Sequence, residues 1–416
     1  RASYGSLGNG NIDPYSFQEL FKIKQSSLVL NGIRPQYTGQ PAVIPLGLTW
    51  EKSTTLNLGL DFAFLSNRLQ FSGDIYQRKT TDMFTVGMSL PAVFGTDVPK
   101  GNYADLTTKG FELSVSWRDQ FQLASKPFNY EVRFTLADYQ STIDKYNNPE
   151  KKLGDDYYYE GMKVGEIWGY ETEGFFTSQA DIDSHAKQPY FYAGATAGQW
   201  LPGDIKFKDL NGDGVIDYGN NTVDNPGDQK IIGNSEPRFI YGINLSGDWN
   251  NFFVSAFFQG VGKQDWWPGS EASYFWGMYN RPYNDMPKSH LGNIWTEENP
   301  NTYFPRLRGY SSEEPYAELN LKQTRYLQNI AYIRMKNIQL GYTLPKSFIS
   351  KLRMQNAKVY VSGENLWSWS PFYKYSKDLD VEAVRGSDRD LTEGTSGNGY
   401  SYPILKSVSF GLSVTF

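Results

Sequence analysis

The chain has 416 residues, a formal net charge of −5 from 40 basic and 45 acidic side chains, 16% aromatic residues, two histidines and no cysteine. This composition excludes a disordered chain, a disulfide scaffold and a thiolate zinc protein. No apolar run approaches the roughly 18 residues of a membrane helix, and no strongly basic domain points to nucleic acid.

Period-two alternation, the mark of a strand with one apolar face, recurs along the chain, and helical periodicity is nearly absent. The chain starts at Arg1 with no apolar leader, and residues 1–4 read as the end of a strand, as in a piece of something longer. Leu56, Leu58, Leu60, Phe62 and Phe64 then alternate with Asn57, Gly59, Asp61 and Ala63. Leu69, Phe71 and Ile75 oppose Gln70, Ser72, Asp74, Tyr76 and Arg78. Phe111, Leu113, Val115 and Trp117 oppose Glu112, Ser114, Ser116 and Arg118. Tyr130, Val132, Phe134 and Leu136 oppose Glu131, Arg133 and Thr135, and Phe239, Tyr241, Ile243 and Leu245 oppose Gly242, Asn244 and Ser246. Asn251–Gly262 carries Phe on both faces. Tyr332–Tyr342 slips phase between Met335 and Ile338, which predicts a bulge. Lys358–Leu366 alternates around Val359 and Val361. The last strand sets Val408, Phe410, Leu412, Val414 and Phe416 against Ser407, Ser409, Gly411, Ser413 and Thr415. The reading is nine strands and a remnant.

Alternation alone fits a soluble sandwich as well as a membrane barrel. The connections favour the barrel. Gaps at about 65–68, 119–128 and 249–250 are short and 343–356 is medium, whereas 81–107, 139–236, 263–329 and 368–403 are long. Strict alternation of short and long connections matches the periplasmic turns and extracellular loops of outer-membrane barrels, and a Greek-key sandwich has no reason to sort its loops this way. Strands of roughly 9–11 residues suit a tilted span. The polar faces carry Asn, Ser, Thr and Gly with single charges, as a lumen does. An aromatic C-terminal residue on an alternating strand is the form read by outer-membrane insertion machinery. The expected fold class is an all-β, transmembrane antiparallel β-barrel segment with long extracellular loops, residues 1–416 forming one unit.

The longest loop ends in Pro202-Gly203-Asp204-Ile205-Lys206-Phe207-Lys208-Asp209-Leu210-Asn211-Gly212-Asp213-Gly214-Val215-Ile216-Asp217, followed by Ile231-Ile232-Gly233-Asn234, Pro237-Arg238-Phe239 and Tyr241-Gly242-Ile243-Asn244. With Asn102–Glu112, Tyr332–Pro345, Val359–Trp367 and Ser409–Leu412, this string resembles the SusC/RagA family of TonB-dependent outer-membrane transporters of Bacteroidetes. Ala104 and Thr108 depart from the Gly and Asn usual in the family. The resemblance implies a 22-stranded barrel of which this chain is the C-terminal nine or ten strands, a plug and TonB box not in this chain, and a SusD-like lipoprotein over the extracellular mouth. It also implies import of glycans or peptides across the bacterial outer membrane, powered through TonB–ExbB–ExbD. Alternative readings are a TonB-dependent metallophore receptor, a SusC-like barrel kept for assembly, and a secreted, calcium-stabilised glycan-binding β-protein.

Asp209, Asn211, Asp213, Val215 (through its carbonyl) and Asp217 match positions of an EF-hand loop, with Gly214 at the sharp turn. Alternating oxygen ligands of this kind wrap a hard cation, here structural Ca²⁺ or Mg²⁺. Asn220 stands where the bidentate Glu belongs, so Asp224 or Asp228 must fold back to replace it. The plainer alternative is an Asx-turn loop. No catalytic residues are expected. His185 and His290 read as solvated loop residues, and the acid pairs Asp155–Asp156 and Glu297–Glu298 as solvated rather than glycosidic. Gly260-Val261-Gly262 opens no helix and so binds no nucleotide. Trp168, Trp200, Trp266, Trp267, Tyr274, Trp276 and Trp295 concentrate in the long loops. Their flat faces suit contact with a sugar or a lid, or packing of the loops themselves. Trp117 and Trp367 read as membrane girdle.

Overall fold

The computed structural model describes every residue except 11–16, 42, 46, 88–92, 94–97, 155–156, 190–199, 271, 282, 314–316 and 385–401. Among the described residues, ten long strands form one sheet: β1 (Ala2–Asn9), β2 (Glu51–Phe64), β3 (Leu69–Val86), β4 (Lys100–Leu123), β5 (Lys126–Lys145), β6 (Arg238–Trp249), β7 (Phe252–Lys263), β8 (Tyr332–Thr343), β9 (Asn356–Trp369) and β10 (Ser407–Thr415). Each pairs antiparallel with its neighbours in chain order. This is an up-and-down barrel wall. The remnant at residues 1–4 is a full strand, paired with β2 from Ala2↔Leu58 to Asn9↔Glu51.

The register carries the membrane reading. One row across the wall is Phe62, Phe71, Val115, Phe134, Ile243, Phe258, Met335 and Trp367. The adjacent row, one residue along every strand and so on the opposite face, is Asp61, Ser72, Ser114, Thr135, Gly242, Gln259, Arg334 and Ser368. Pleating puts alternate residues on opposite faces, so the sheet is apolar outside and polar inside. No second sheet covers the apolar face among the described residues, and Phe410 stays 86% exposed. A soluble sandwich would bury that face.

Loop parity also holds. Hairpin turns fall at Leu65–Arg68, at Ala124-Ser125 and at Asn250-Asn251. The last two pairs have φ of 49° and 63°, and 49° and 71°, the left-handed backbone of two-residue type I′ turns. Next to these turns Phe121, Phe128, Trp249, Phe252 and Tyr342 form an aromatic row on the apolar face, a girdle at one membrane interface. Trp117 stands near it, donating from Nε1 to the Tyr130 hydroxyl at 3.2 Å. The expected 81–107 gap is shorter, because β3 runs on to Val86 and β4 begins at Lys100. At 18 and 24 residues these two strands exceed what a bilayer requires and project past it.

The predicted bulge lies at Lys336: Phe258 pairs with Met335 and Phe257 with Asn337, leaving one residue unmatched. Glycine has a packing role at Gly110. Tyr76 lies across it, and a Cβ there would sit 2.6 Å from that ring and 2.8 Å from the Asp138 carbonyl. An aromatic ring thereby covers the bare backbone of the neighbouring strand.

Candidate functional site: the cap built by the long loops

Among the described residues the long loops share a main hydrophobic core at the long-loop end of the wall, containing Phe176, Ile205, Phe207, Ile216, Phe275, Trp276, Tyr279, Phe304, Tyr326 and Phe372, and Leu153, Tyr159 and Met162 pack with Ile143 of β5 in a second cluster. The motif beginning at Pro202 organises the main core. Gly203 takes φ of +91° with the Trp295 ring packed against it, so no side chain fits there. Asp204, fully buried, accepts from the Leu201 amide at 2.8 Å and from Arg306 Nε at 2.6 Å, and also pairs with Arg308. Glu318, equally buried, accepts from the Ile205 amide at 2.9 Å and lies 3.7 Å from Arg308 Nε. Burial pushes the Glu318 carboxyl up, and Arg308, the Ile205 amide and Arg306 offset part of that. Ile205 and Phe207 point into the core from the short strand Ile205–Phe207, which pairs with Thr172–Phe175. Between them Lys206 reaches Asp181 at 2.9 Å. Alternation therefore puts apolar residues in and a paired cation out.

The next stretch is a loop closed by its own amides. Asp209 accepts from the amides of Gly212 (2.6 Å) and Gly214 (2.9 Å), Asn211 Oδ1 from Asp213, Asp213 Oδ1 from Val215 and Asp217 Oδ1 from Gly219. Asp228 folds back onto it, accepting from Leu210 at 2.7 Å and Asp217 at 2.9 Å. Burial raises the Asp228 carboxyl in spite of these donors. The five positions 209, 211, 213, 215 and 217 thus share one loop, but no three His, Cys, Asp or Glu groups converge as a metal cluster among the described residues.

The aromatic candidates divide by burial. Trp200, Trp266 and Trp276 lie inside the cap core. Trp200 Nε1 donates to the Gln188 carbonyl at 3.3 Å, and Trp276 Nε1 to the Gly269 carbonyl at 3.0 Å. Trp168, Trp267 and Trp295 are half-buried, Trp168 edge-on to Tyr159. Tyr274 alone of the seven is exposed, at 54%. Packing accounts for the first group and leaves Tyr274 facing outward.

No family model matches the chain. Over its whole length it is 28% identical to TonB-dependent receptor P3 of Formosa agariphila, covering 39% of that protein. It is 23% identical to TonB-dependent receptor SusC of Bacteroides thetaiotaomicron, covering 37%. The structure of the RagAB peptide transporter superposes with a TM-score of 0.70 at 19% identity, over 100% of this chain and 40% of that one. The chain is similar in sequence to TonB-dependent receptors, SusC among them, and in fold to the RagAB transporter. It spans about two-fifths of the length of the curated relatives it matches. Those relatives are receptors and transporters rather than enzymes.

Within the cap both histidines differ from the solvated residues expected. His290 is buried, Nε2 2.9 Å from the Phe275 carbonyl and the ring 4.1 Å from that of Phe304. Burial lowers its pKa, so the ring is held neutral. His185 Nε2 lies 2.8 Å from the Phe207 carbonyl. Both cap backbone groups of an interior that the sequence does not announce. Glu297 and Glu298 sit in the exposed turn closed by Thr296 and Asn299, and Asp155–Asp156 lies outside the described residues. Gly260–Gly262 is part of β7. Sequence reasoning missed the Asp204–Arg306–Arg308–Glu318 cluster, in which Asp204 lies 102 and 104 positions from its two arginines. It also missed the anchor of the last loop, Arg334 to Asp380 and Lys336 to Glu382, each at 2.5 Å. The only sequence signal for the anchor was the bulge that sets Lys336 out of register.

Proposed function

We propose that residues 1–416 form one wall-and-cap unit of an outer-membrane importer of the SusC type, taking up oligosaccharides or peptides. The long-loop end faces outward and meets a SusD-like lipoprotein lid. Energy comes through TonB–ExbB–ExbD, acting on a plug encoded outside this chain. The observation that carries this reading is the paired rows of the wall. A polar row faces inward and an uncovered apolar row outward, under a cap built at one end only. The whole-length likeness to SusC, and to a structure described as a peptide transporter, supports the cargo class.

The test is deletion of the gene, followed by growth and uptake on defined glycans and peptides and by membrane fractionation. Loss of uptake of one polymer class, with the protein in the outer-membrane fraction, is expected. A protein recovered soluble in the medium, or undiminished growth on every substrate, overturns the reading. A structural Ca²⁺ or Mg²⁺ at Asp209, Asn211, Asp213, Val215 and Asp217 is part of the proposal. It is supported by their spacing and by Asp228 folding back onto the same loop. Cation binding would draw these oxygens off the loop's own amides.

A further inference from the structure

On three adjacent strands the outward, apolar face of the wall gives way to lysine. Beyond Leu56 on β2, Ile75 on β3 and Phe111 on β4, toward the long loops, the first charged outward residues are Lys52, Lys79 and Lys109. All three are exposed, and none makes an ion pair or a side-chain hydrogen bond among the described residues. Lys79 stands opposite Thr54 of β2 and Thr107 of β4, which makes Lys52 and Lys109 its diagonal neighbours, roughly 7–8 Å away on either side. Lys79 and Lys109 lie seven and nine residues inside the long-loop ends of their strands, so they project from the wall itself and not from a loop. The carboxylates on the same face are engaged. Asp138, diagonal to Lys109, holds Arg238 at 2.6 Å. Asp105 and Asp144, further toward the loops, accept from the Asp82 amide at 2.9 Å and the Thr107 hydroxyl at 2.5 Å.

The height is that of a membrane surface. Lys79 lies ten residues from Leu69 at the β2–β3 turn, and ten residues of a strand tilted about 40° rise roughly 25 Å, the height of the apolar band. Directly beneath the lysines Leu56, Leu58 and Ile75 are left exposed, Ile75 at 60%. At the same end of β9 the outward positions carry Trp367 and Trp369 instead. Two diagonal steps spread the three charges over roughly 15 Å, wider than one phosphate. Ammonium groups meet phosphates as point charges, and basic clusters beside a membrane surface select anionic headgroups. We propose that Lys52, Lys79 and Lys109 hold a phosphorylated, multiply acylated glycolipid of the outer leaflet, its phosphates on the ammonium groups and its chains along Leu56, Leu58 and Ile75. The leaflet follows from the long-loop end, which the proposed function turns outward. The inference rests on the outer-membrane reading and adds a lipid partner to it.

The test uses the detergent-purified, delipidated full-length receptor and native mass spectrometry with three probes: bisphosphorylated lipid A, the same lipid with its phosphates removed, and phosphatidylglycerol. Bisphosphorylated lipid A should bind at least tenfold more tightly than either of the others, and more weakly as salt rises. The triple variant Lys52→Gln/Lys79→Gln/Lys109→Gln should lose that tenfold preference, with strand content and heat-modifiable migration unchanged. The charge-keeping triple variant Lys52→Arg/Lys79→Arg/Lys109→Arg should retain it, and Lys79→Gln alone, at the centre of the three, should lose at least threefold. Equal binding of the dephosphorylated lipid, tighter binding of phosphatidylglycerol, or a preference that survives the glutamine variant overturns the site. So does a glutamine variant that keeps its lipid preference and instead loses a co-purifying SusD-like lipoprotein, which would make the arc a protein contact. All of these outcomes leave the outer-membrane reading standing. A receptor recovered outside the outer-membrane fraction overturns both.

Discussion

Asp204 is the most demanding test of how the cap is held. Its side chain is fully buried, satisfies the Leu201 amide at 2.8 Å and pairs with both Arg306 and Arg308. Asp204→Ala removes the carboxylate paired with Arg308, itself almost fully buried, and the nearest other carboxylate contact to Arg308 Nε is Glu318 at 3.7 Å. Removing one partner of a buried ion pair costs roughly 3–5 kcal/mol, mostly because the remaining charge is stranded away from water. At about 1.4 kcal/mol per factor of ten, local opening of the cap becomes roughly 100- to 3000-fold more frequent. Hydrogen exchange on purified receptor should show this in residues 200–208 and 304–308, whereas amides of β4 and β5 keep their protection. Asp204→Asn, which retains one acceptor oxygen, should fall between. Less than a tenfold change at 200–208 would refute the argument that this carboxylate pins the cap.

Three further outcomes follow from the same geometry. Gly110→Val places a branched side chain against Tyr76 and the Asp138 carbonyl. It should lower the yield of heat-modifiable, folded barrel in outer membranes, and normal yield on immunoblots counts against the packing role. His290 is kept neutral by burial, so its folded pKa lies below the unfolded value near 6.5. The unfolded form then binds more protons, and cap stability should fall as pH drops below about 6.5, by at most ~1.4 kcal/mol per unit. Cap-specific exchange at pH 7.5 and 5.5 measures this, and His290→Gln should flatten the dependence. Calcium titration by calorimetry should give a heat that Asp213→Ala abolishes. No heat in the parent protein removes the metal reading.

The wall was legible and the cap was not, for a physical reason. A barrel strand writes its two environments into adjacent residues, lipid on one side and lumen on the other. Leu56 to Phe64 therefore announce their faces without any partner, and the slip after Met335 announces the bulge at Lys336. The register adds what a single strand cannot: Asp61 and Phe62 begin rows that stay polar and apolar across eight strands. The cap has no such period. Phe176, Phe275, Phe304 and Phe372 meet from separate loops, and Asp204 finds its arginines 102 and 104 positions away. Loop tryptophans that looked equally available divide on the same ground. Trp276 is consumed by the core, and Tyr274, two positions earlier on the same helical turn, points outward. The Pro202–Asp217 stretch is the exception, because its function is local. Gly203 admits Trp295, Ile205 and Phe207 fill the core, and Asp209 to Asp217 close a turn on their own amides. A cap that hangs on one buried cluster while its wall is fixed by alternation can rearrange without disturbing the barrel.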